Sequence, residues 1–312
     1  MFKEINWMGA RKLAIGLSLA LIVISLISLF TRGLNLGLDF TGGNAIELKV
    51  PATLNIDDVR NTMSASGFES FVVQRFGSDT ELSIKLPPQS NETHSVGEAV
   101  EQTIGEEVFD VLNNTYGDIE LASESFIGPS VGDELRDTSG KAMILALVIM
   151  LVYIAFRFTL KFGAGAIIAL AHDVVITLGF FSITQMSVDL AVLAAILAVV
   201  GYSINDTVVV SDRIRENFIG RRDLKTLEVF NVSISETFER TLMTSITTLL
   251  VLIALAIFGG SSLIGFSAAL IVGVLVGTYS SIYVACSVLI GLNTTAEDFM
   301  KKDKQELLDD AP

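Results

Sequence analysis

The chain has 312 residues, 51% of them hydrophobic and 18% charged, and a mean hydropathy of +0.59, which is too apolar for an ordinary soluble domain and too charged for a chain embedded in lipid throughout. Its formal net charge of -14 is concentrated between Arg32 and Asp137, and this acidic stretch argues against nucleic acid as a partner. The single cysteine, Cys286, excludes an intramolecular disulfide framework and a thiolate metal cluster.

The first apolar segment, residues 13–30, follows an N-terminal stretch, residues 1–12, that carries Lys3, Arg11 and Lys12. The core of a signal peptide has about 7 to 15 residues, and a site of the small-x-small type follows it. This segment has 18 residues and no such site after Phe30. The pattern therefore predicts an uncleaved first transmembrane helix.

The stretch of residues 31–138 has the patterns of a water-soluble α+β domain. It opens with the turn-rich sequence GLDFTGG at residues 37–43, and the later pattern predicts strand, helix, strand, strand, helix and strand. We expect these elements at residues 44–50, 56–67, 70–76, 81–86, 96–115 and 119–126. The order βαββαβ is that of a ferredoxin-like domain.

Five further apolar runs predict transmembrane helices two to six, and a short polar tail at residues 293–312 follows them. The runs lie within residues 139–292, at about 139–156, 163–184, 188–210, 241–258 and 263–292. Basic residues precede span one and lie between spans two and three, between spans four and five and after span six, whereas the loops at 185–187 and 259–262 have none. By the positive-inside rule both termini are cytoplasmic, and the α+β domain is extracytoplasmic.

Asp206 is the feature around which we interpret the membrane part. It lies in the sequence GYSINDTVVVSDRIREN, in the cytoplasmic half of the predicted fourth span. A charged side chain in mid-bilayer costs from about 2.5 to more than 10 kcal/mol, so an intramembrane carboxylate indicates a functional site. Arg240 opens the fifth span at a comparable depth. An ion pair that can also exist as a protonated aspartate beside an arginine would couple a proton to helix movement.

Other interpretations of these polar residues stay open. The pair Asp206 and Arg240 can serve only to hold helices together, and Asp173 in the third span fits a structural or capping role as well as a proton relay. The oxygens of Ser203, Asn205 and Thr207 near Asp206 would also suit Na⁺. Two aspartates on adjacent spans suggest an intramembrane aspartyl protease, but the GxGD context of such enzymes is missing. His172 and His94 do not form a metal site.

Four sequence segments resemble the SecF family of bacterial protein translocase subunits, which belongs to the RND superfamily. They are GLDFTGG at Gly37, AHDVVITLGFF at Ala171, the segment around Asp206 and ERTLMTSITTLLVLIALAIFGG at Glu239, and the likeness extends over essentially the whole chain. Ser211 departs from the pattern, where many relatives have Phe.

The resemblance implies a polytopic α-helical protein of the inner membrane with a periplasmic domain between helices one and two. The implied partners are SecD, YajC, the SecYEG channel, an unfolded preprotein and membrane lipid, with export driven by the proton motive force. It makes Asp206 the essential intramembrane aspartate and Arg240 its partner. The residues of the family motif at the base of the periplasmic domain are Gly37, Asp39, Phe40, Gly42 and Gly43.

Our leading hypothesis is a proton-driven, non-enzymatic subunit of protein export in which protonation of Asp206 moves span four against span five and so moves the outer domain. No GxxxxGK[ST] sequence is present, so neither an ATP site nor another cofactor is expected. One alternative is a scaffold subunit that assembles the export complex without conducting protons. Another is an RND-type exporter of small molecules, although the chain lacks the internal repeat expected for that class.

Overall fold

The protein is described from a computed structural model, which describes residues 5–68, 70–75, 80–87 and 104–298. The chain forms two compact units. The first consists of residues 1–35, 143–259 and 265–312 and is helical, and the second consists of residues 36–142 and 260–264 and carries the sheet. Each unit has its own buried apolar core.

The helical unit contains long apolar helices that are connected by short loops. Its elements are a 3₁₀ turn at Trp7–Ala10, α1 at Arg11–Arg32, the later part of α5 at Pro129–Arg157, α6 at Leu160–Thr184, α7 at Leu190–Gly220, α8 at Thr226–Phe258, α9 at Ser261–Ser280 and α10 at Cys286–Gly291. Within the residues that the structure describes, six helices are long and apolar enough to cross a membrane. The spans formed by α5 and α8 bury only 6% and 17% of their most apolar windows within the chain, so most of their surface is left for lipid or other proteins.

Three helices extend ten or more residues beyond the apolar runs from which we predicted them. The run at 139–156 corresponds to α5, which already begins at Pro129. The run at 188–210 corresponds to α7, which continues to Gly220, and the run at 241–258 corresponds to α8, which already begins at Thr226. Hydropathy marks the part of a helix that lipid can cover, whereas backbone hydrogen bonds and side-chain pairs sustain the helix beyond it. The charged residues Asp212, Arg213, Arg215 and Glu216 therefore lie on helix and not in a loop.

The last span is interrupted by one π-helical turn. The predicted run at 263–292 is observed as α9 and α10, which are joined through a π turn at Ser281–Ala285. Ser280 and Ser281 are fully buried there. A π turn inside an α-helix is rare and is frequently found at functional sites.

The second unit is a small antiparallel sheet packed against two helices. Its elements are α2 at Leu38–Thr41, β1 at Gly43–Lys49, α3 at Ile56–Ala65, β2 at Val72–Arg75, β3 at Glu81–Leu86, α4 at Ile104–Tyr116, β4 at Glu120–Ile127 and the first part of α5. The strand order is β2-β3-β1-β4, and every neighbouring pair is antiparallel. Alternate residues of β1 and β3, such as Ile46 and Ile84, meet the buried faces of α3 and α4.

Local signals fixed several ends of these elements. The side chain of Asn55 accepts a hydrogen bond from the backbone N–H of Asp57 and so caps α3. The GLDFTGG segment, predicted as a turn, contains the four-residue helix α2.

Three predicted features lie outside the described residues. They are the turn at Gly77–Asp79, the first part of the helix 96–115 and the tail after residue 298.

Candidate functional site

Three side-chain contacts give the register of α7 against the antiparallel helix α8. The hydroxyl of Tyr202 donates to Ser245 Oγ at 3.0 Å, and Asn217 Nδ2 donates to Ser233 Oγ at 2.9 Å. Between these levels, Arg213 Nε donates to Glu236 Oε2 at 2.7 Å. Interpolation between the contacts brings Asp206 to the level of Thr241 and Leu242, and Arg240 lies within about half a helical turn of that level.

Asp206 is buried without complete hydrogen bonding. The residue is 2% exposed, and its Oδ2 atom has no hydrogen-bond partner among the described residues. Thr241 Oγ1, at the same level of α8, also lacks a partner there. Leaving a buried polar atom unpaired costs about 1 to 3 kcal/mol and more for a charged group. Such an atom in a native structure calls for an explanation, such as a functional role or a bound water or ion.

Arg240 acts on Asp206 through space. The two residues are not joined by a hydrogen bond or ion pair in the described part of the chain, although the positive charge of Arg240 interacts electrostatically with the carboxyl group. Arg240 itself is exposed on the surface of the helical unit. Asp206 and Arg240, which the sequence predicts to pair, thus lie at nearby levels of α7 and α8 without a direct bond between their side chains.

Asp173, the second predicted aspartate, has the opposite environment. It is 0% exposed, and its Oδ2 atom accepts hydrogen bonds from Ser203 Oγ at 2.5 Å and from Ser280 Oγ at 2.7 Å. Its Oδ1 atom lies 2.8 Å from Nδ1 of His172. A carboxyl group with three such partners on α6, α7 and α9 ties these helices together.

The hydrogen bonds continue from His172 to the first span. Nε2 of His172 lies 3.2 Å from Ser18 Oγ on α1, and Ser18 donates to the hydroxyl of Tyr279 at 3.2 Å. Tyr279 in turn donates to the backbone carbonyl of Ala14 at 2.7 Å. A buried polar network therefore extends through four helices, and on α7 it ends at Ser203, one helical turn from Asp206.

A cluster of charges fixes the polar ends of α7 and α8. Glu236 accepts hydrogen bonds from Arg213 at 2.7 Å, Asn217 at 2.8 Å and Arg221 at 2.7 Å. These hydrogen bonds hold together the charged ends of α7 and α8, the two helices that carry Asp206 and Arg240.

A further ion pair joins Lys161 at the start of α6 to Asp298, at 2.8 Å. Burial opposes ionisation of Asp298, but the hydrogen bonds from Lys161 and Thr295 outweigh it and lower the pKa of the carboxyl group. The segment after α10 is thus attached to the charged end of the bundle.

The family-motif glycines lie at the start of β1, an interior strand of the sheet in the second unit. Gly42 and Gly43 have φ values of 66° and 109°, a region that favours glycine. A Cβ atom on Gly43 would overlap the carbonyl oxygen of Leu86, and one on Gly42 would come within 3.1 Å of Pro129 Cα. Gly37, Asp39 and Phe40 precede them, and Phe40 is buried. The motif serves close backbone packing where β1, β3 and α5 meet.

Small residues allow α9 to approach α7. A Cβ atom on Gly273 would overlap the side chain of Val199, and one on Gly277 would lie 3.2 Å from Ser203 Cβ and 3.6 Å from Asp173 Oδ2. The small-xxx-small spacing, predicted as a helix contact, therefore brings the network residues of α9 against α6 and α7.

In the described part of the chain, no group of three His, Cys, Asp or Glu side chains could hold a metal ion.

Sequence reasoning missed most of the partners of Asp173. Ser18, Tyr279 and Ser280 lie in apolar spans that are distant in sequence, and their only signal is that polar residues recur on one helix face. His172 was considered only as a metal ligand. Its contact with Asp173 requires both side chains to point the same way, which adjacency in a helix does not predict.

Two family models match the sequence. The model described as the C-terminal part of the protein export membrane protein SecD/SecF matches residues 107–295, and the model of the SecD/SecF GG motif matches residues 27–50. The first match includes Asp173, Asp206 and Arg240, and the second includes Gly42 and Gly43.

Several curated relatives named protein translocase subunit SecF are similar over nearly their whole length. The Pseudomonas aeruginosa protein is 46% identical over 309 residues, which are 99% of this chain and 98% of the relative. The Haemophilus influenzae protein is 42% identical, with coverage of 100% and 93%. The Escherichia coli O157:H7 protein is 41% identical, with coverage of 96% and 91%.

Two solved structures of SecDF are similar in fold. SecDF from Thermus thermophilus, described as a translocon-associated membrane protein, matches 94% of this chain with a TM-score of 0.82 and 36% identity. SecDF in a super-membrane-facing form matches 99% with a TM-score of 0.67 and 34% identity. The chain spans only 39% and 40% of the length of those SecDF chains.

Proposed function

Since the chain belongs to the SecF family of protein translocase subunits, we propose that it couples the proton motive force to protein export through Asp206. It is a multi-pass protein of the bacterial inner membrane and a transport component rather than a known enzyme. The observation that carries the coupling proposal is the Asp206 side chain, which is 2% exposed and has an oxygen atom without a partner among the described residues.

The physical basis of the coupling is that one proton changes the charge buried between α7 and α8. When Asp206 is ionised, the carboxylate is attracted to Arg240 and opposes burial in an apolar layer. When Asp206 is protonated, it is no longer attracted to Arg240 and its burial in an apolar layer no longer costs the desolvation of a charge. A different packing of the two helices then becomes favourable. A membrane potential supplies about 2.3 kcal/mol per charge per 100 mV, which is enough to bias two such states. The altered packing is proposed to move the extracytoplasmic domain.

The proposed partners follow from the family. SecD is supported by the similarity to SecDF chains, of which this chain spans about two fifths. YajC, the SecYEG channel and an unfolded preprotein substrate are proposed on the resemblance. The apolar faces left open on α5 and α8 offer surface for lipid and for such partners.

The proposed topology has both termini in the cytoplasm and the sheet-bearing unit outside. The basic residues in the connections between spans support it, as do Arg213 and Arg221 at the charged end of α7. For the outer domain we propose the ferredoxin-like βαββαβ fold. The strand order β2-β3-β1-β4 and the helices α3 and α4 support it.

The test is gradient-dependent release of an exported protein from energised spheroplasts that carry the wild-type chain or Asp206→Asn. Asn keeps the size of the side chain and cannot exchange a proton. The matched control is Asp189→Asn at the N-cap of the same helix, where Asp189 accepts a hydrogen bond from Val192 N–H and Asn caps equally well. Membrane abundance and association with SecD are measured for every variant.

The proposal requires that Asp206→Asn assembles with SecD but loses release, that Asp189→Asn retains it, and that a protonophore reproduces the loss in the wild-type chain. If Asp206→Asn assembles and supports normal release, the scaffold function replaces the coupling function. If a sodium ionophore abolishes release while a protonophore does not, Na⁺ is the coupling ion and the proton mechanism is wrong.

A further inference from the structure

The hydrogen-bond network around His172 has a fixed direction at its far end. The hydroxyl of Tyr279 lies 2.7 Å from the backbone carbonyl of Ala14. A carbonyl oxygen only accepts, so the single proton of the phenol is committed to that bond. Toward Ser18, 3.2 Å away, the Tyr279 oxygen can therefore act only as an acceptor.

This direction is passed on to the histidine ring. Ser18 has one hydroxyl proton and donates it to Tyr279, so its oxygen must accept the bond from His172 Nε2, at 3.2 Å. Nε2 therefore carries a proton. The remaining ring nitrogen, Nδ1, lies 2.8 Å from Asp173 Oδ1.

Only two protonation states satisfy that last contact. Either Nδ1 is also protonated, which makes His172 an imidazolium beside an ionised Asp173, or Nδ1 accepts a proton from a neutral Asp173 carboxyl group. In both states the pair is electrically neutral and holds one proton more than a neutral imidazole beside a carboxylate. Without that proton, two lone pairs would face each other across 2.8 Å.

We infer that His172 and Asp173 form a second intramembrane proton-binding site, which holds one proton between Nδ1 and Oδ1. This inference rests on the proposed function for its role in export, whereas the bound proton is inferred from the direction of the hydrogen bonds from Ser18 to Tyr279 and from Tyr279 to Ala14. Both side chains are buried, at most 2% exposed.

Hydrogen bonds around the His172–Asp173 pair connect its protonation state to contacts with α7 and α9. The other carboxyl oxygen accepts from Ser203 on α7 and Ser280 beside the π turn. The titratable groups near the pair are Tyr279, whose ring centroid is 6.3 Å from that of His172, Tyr283, whose ring centroid is 5.3 Å from that of Tyr279, and Asp206, one turn beyond Ser203.

Loss of the proton has a structural consequence. His172 would then retain one ring proton, and the only arrangement without a repulsive contact has this proton on Nδ1, donated to the Asp173 carboxylate. Nε2 would become an acceptor, so Ser18 would have to turn its hydroxyl from Tyr279 to Nε2. Release of the proton therefore breaks the hydrogen bond from Ser18 to Tyr279 and leaves the bond from Tyr279 to the Ala14 carbonyl in place. One of the contacts between α1 and α9 thus depends on the proton.

The direct test is ¹⁵N NMR of the full chain in lipid nanodiscs with labelled histidine. The chain has 2 histidines, so His94→Gln leaves the signals of His172 alone. We expect at neutral pH either an imidazolium or an Nε2–H tautomer accompanied by an infrared C=O band of a protonated carboxyl group that Asp173→Asn removes. An Nδ1–H tautomer overturns the inference, as does an Nε2–H tautomer without that infrared band.

A second variant tests the direction of the network. Tyr279→Phe removes the acceptor of Ser18, which frees the Ser18 hydroxyl to donate to Nε2 and makes the Nδ1–H tautomer available. We expect the Nδ1–H signals to appear in Tyr279→Phe and not in the control Tyr283→Phe. A spectrum of Tyr279→Phe identical to that of the parent chain overturns the inference, because the hydrogen-bond direction would then not set the protonation.

The role in export is tested with His172→Gln, whose amide can hydrogen-bond but cannot bind a proton. Loss of gradient-dependent release from an assembled complex is expected, and normal release overturns the role in export. The outcome is separable from the main proposal: normal release by Asp206→Asn refutes Asp206 coupling, whereas the NMR result on His172 does not depend on export.

Discussion

Asp173 accepts hydrogen bonds from Ser203 and Ser280 and contacts His172, whereas Asp206, one helical turn from Ser203, is equally buried and has an oxygen atom without a partner among the described residues. Two carboxyl groups of one bundle are thus treated in opposite ways. Asp173 is fixed by hydrogen bonds to other helices, whereas Asp206 lacks such bonds on one oxygen atom, so its protonation state can change at a smaller cost. The same chemical substitution at the two positions should therefore have opposite effects on stability.

For Asp206→Asn we expect no loss of stability. The substitution keeps the shape of the side chain and removes a charge that the bundle does not satisfy, so the thermal unfolding midpoint of the purified full chain should equal or exceed that of the wild type. The measurement is thermal unfolding in detergent at neutral pH. A clear decrease would mean that the carboxylate has a stabilising partner in the folded chain.

For Asp173→Asn we expect a loss of about 1 to 3 kcal/mol, the usual cost when a buried hydrogen bond to a charged group is broken. The amide oxygen can still accept from both serine hydroxyls, but the amide nitrogen that would face Nδ1 of His172 cannot accept a proton from it, so the hydrogen bond between an imidazolium and the carboxylate is lost. Thermal unfolding under the same conditions measures the effect.

The control is a double-mutant cycle with Ser280→Ala. In the wild-type background this change should cost stability, and in the Asp173→Asn background it should cost less, because residues in one network are coupled. Strict additivity of the two changes would contradict the network.

The helix contact at Gly273 gives a prediction with a matched control on α7. Gly273→Ala would bring a Cβ atom into the side chain of Val199, and overpacking of this kind typically costs about 1 to 3 kcal/mol. Gly201→Ala meets nothing within 4 Å and should stabilise by up to about 1 kcal/mol through helix propensity. Unfolding midpoints of both variants test the contact, and equal midpoints would refute it.

The sequence was sufficient for features that have a period or a strong cost. Hydropathy predicted six spans, and six helices in the described part of the chain are long and apolar enough to cross a membrane. Alternation predicted the strand Glu81–Leu86 at its observed bounds. Asp206 stood out because a carboxylate in an apolar run is expensive wherever it lies. The expected common depth of Asp206 and Arg240 required only antiparallel neighbouring helices, and the α7–α8 register agrees with it.

The sequence was not sufficient for features that depend on tertiary packing. Asp173 looks like Asp206 in one dimension, and only the arrival of Ser18, Ser203 and Ser280 from three other helices distinguishes them. The π turn at Ser281–Ala285 has no signature in an apolar run. The extensions of α5, α7 and α8 were missed because charged residues end an apolar run without ending a helix.

Arg240 gives the last prediction, which concerns its dependence on Asp206. Its charge interacts with Asp206 through space, so Arg240→Gln should abolish gradient-dependent release by leaving the carboxylate without its counter-charge, while Arg240→Lys should retain part of it. If the two residues act as one unit, each single change removes the activity and the double change Asp206→Asn/Arg240→Gln is no worse than either. The measurement is release per assembled complex for the four chains of the cycle.

Arg215→Gln, at the charged end of α7, is the control for loss of a positive charge and should retain release. Residual activity in both single variants that multiplies in the double variant would show that Asp206 and Arg240 act independently, and the coupling site would then be Asp206 alone.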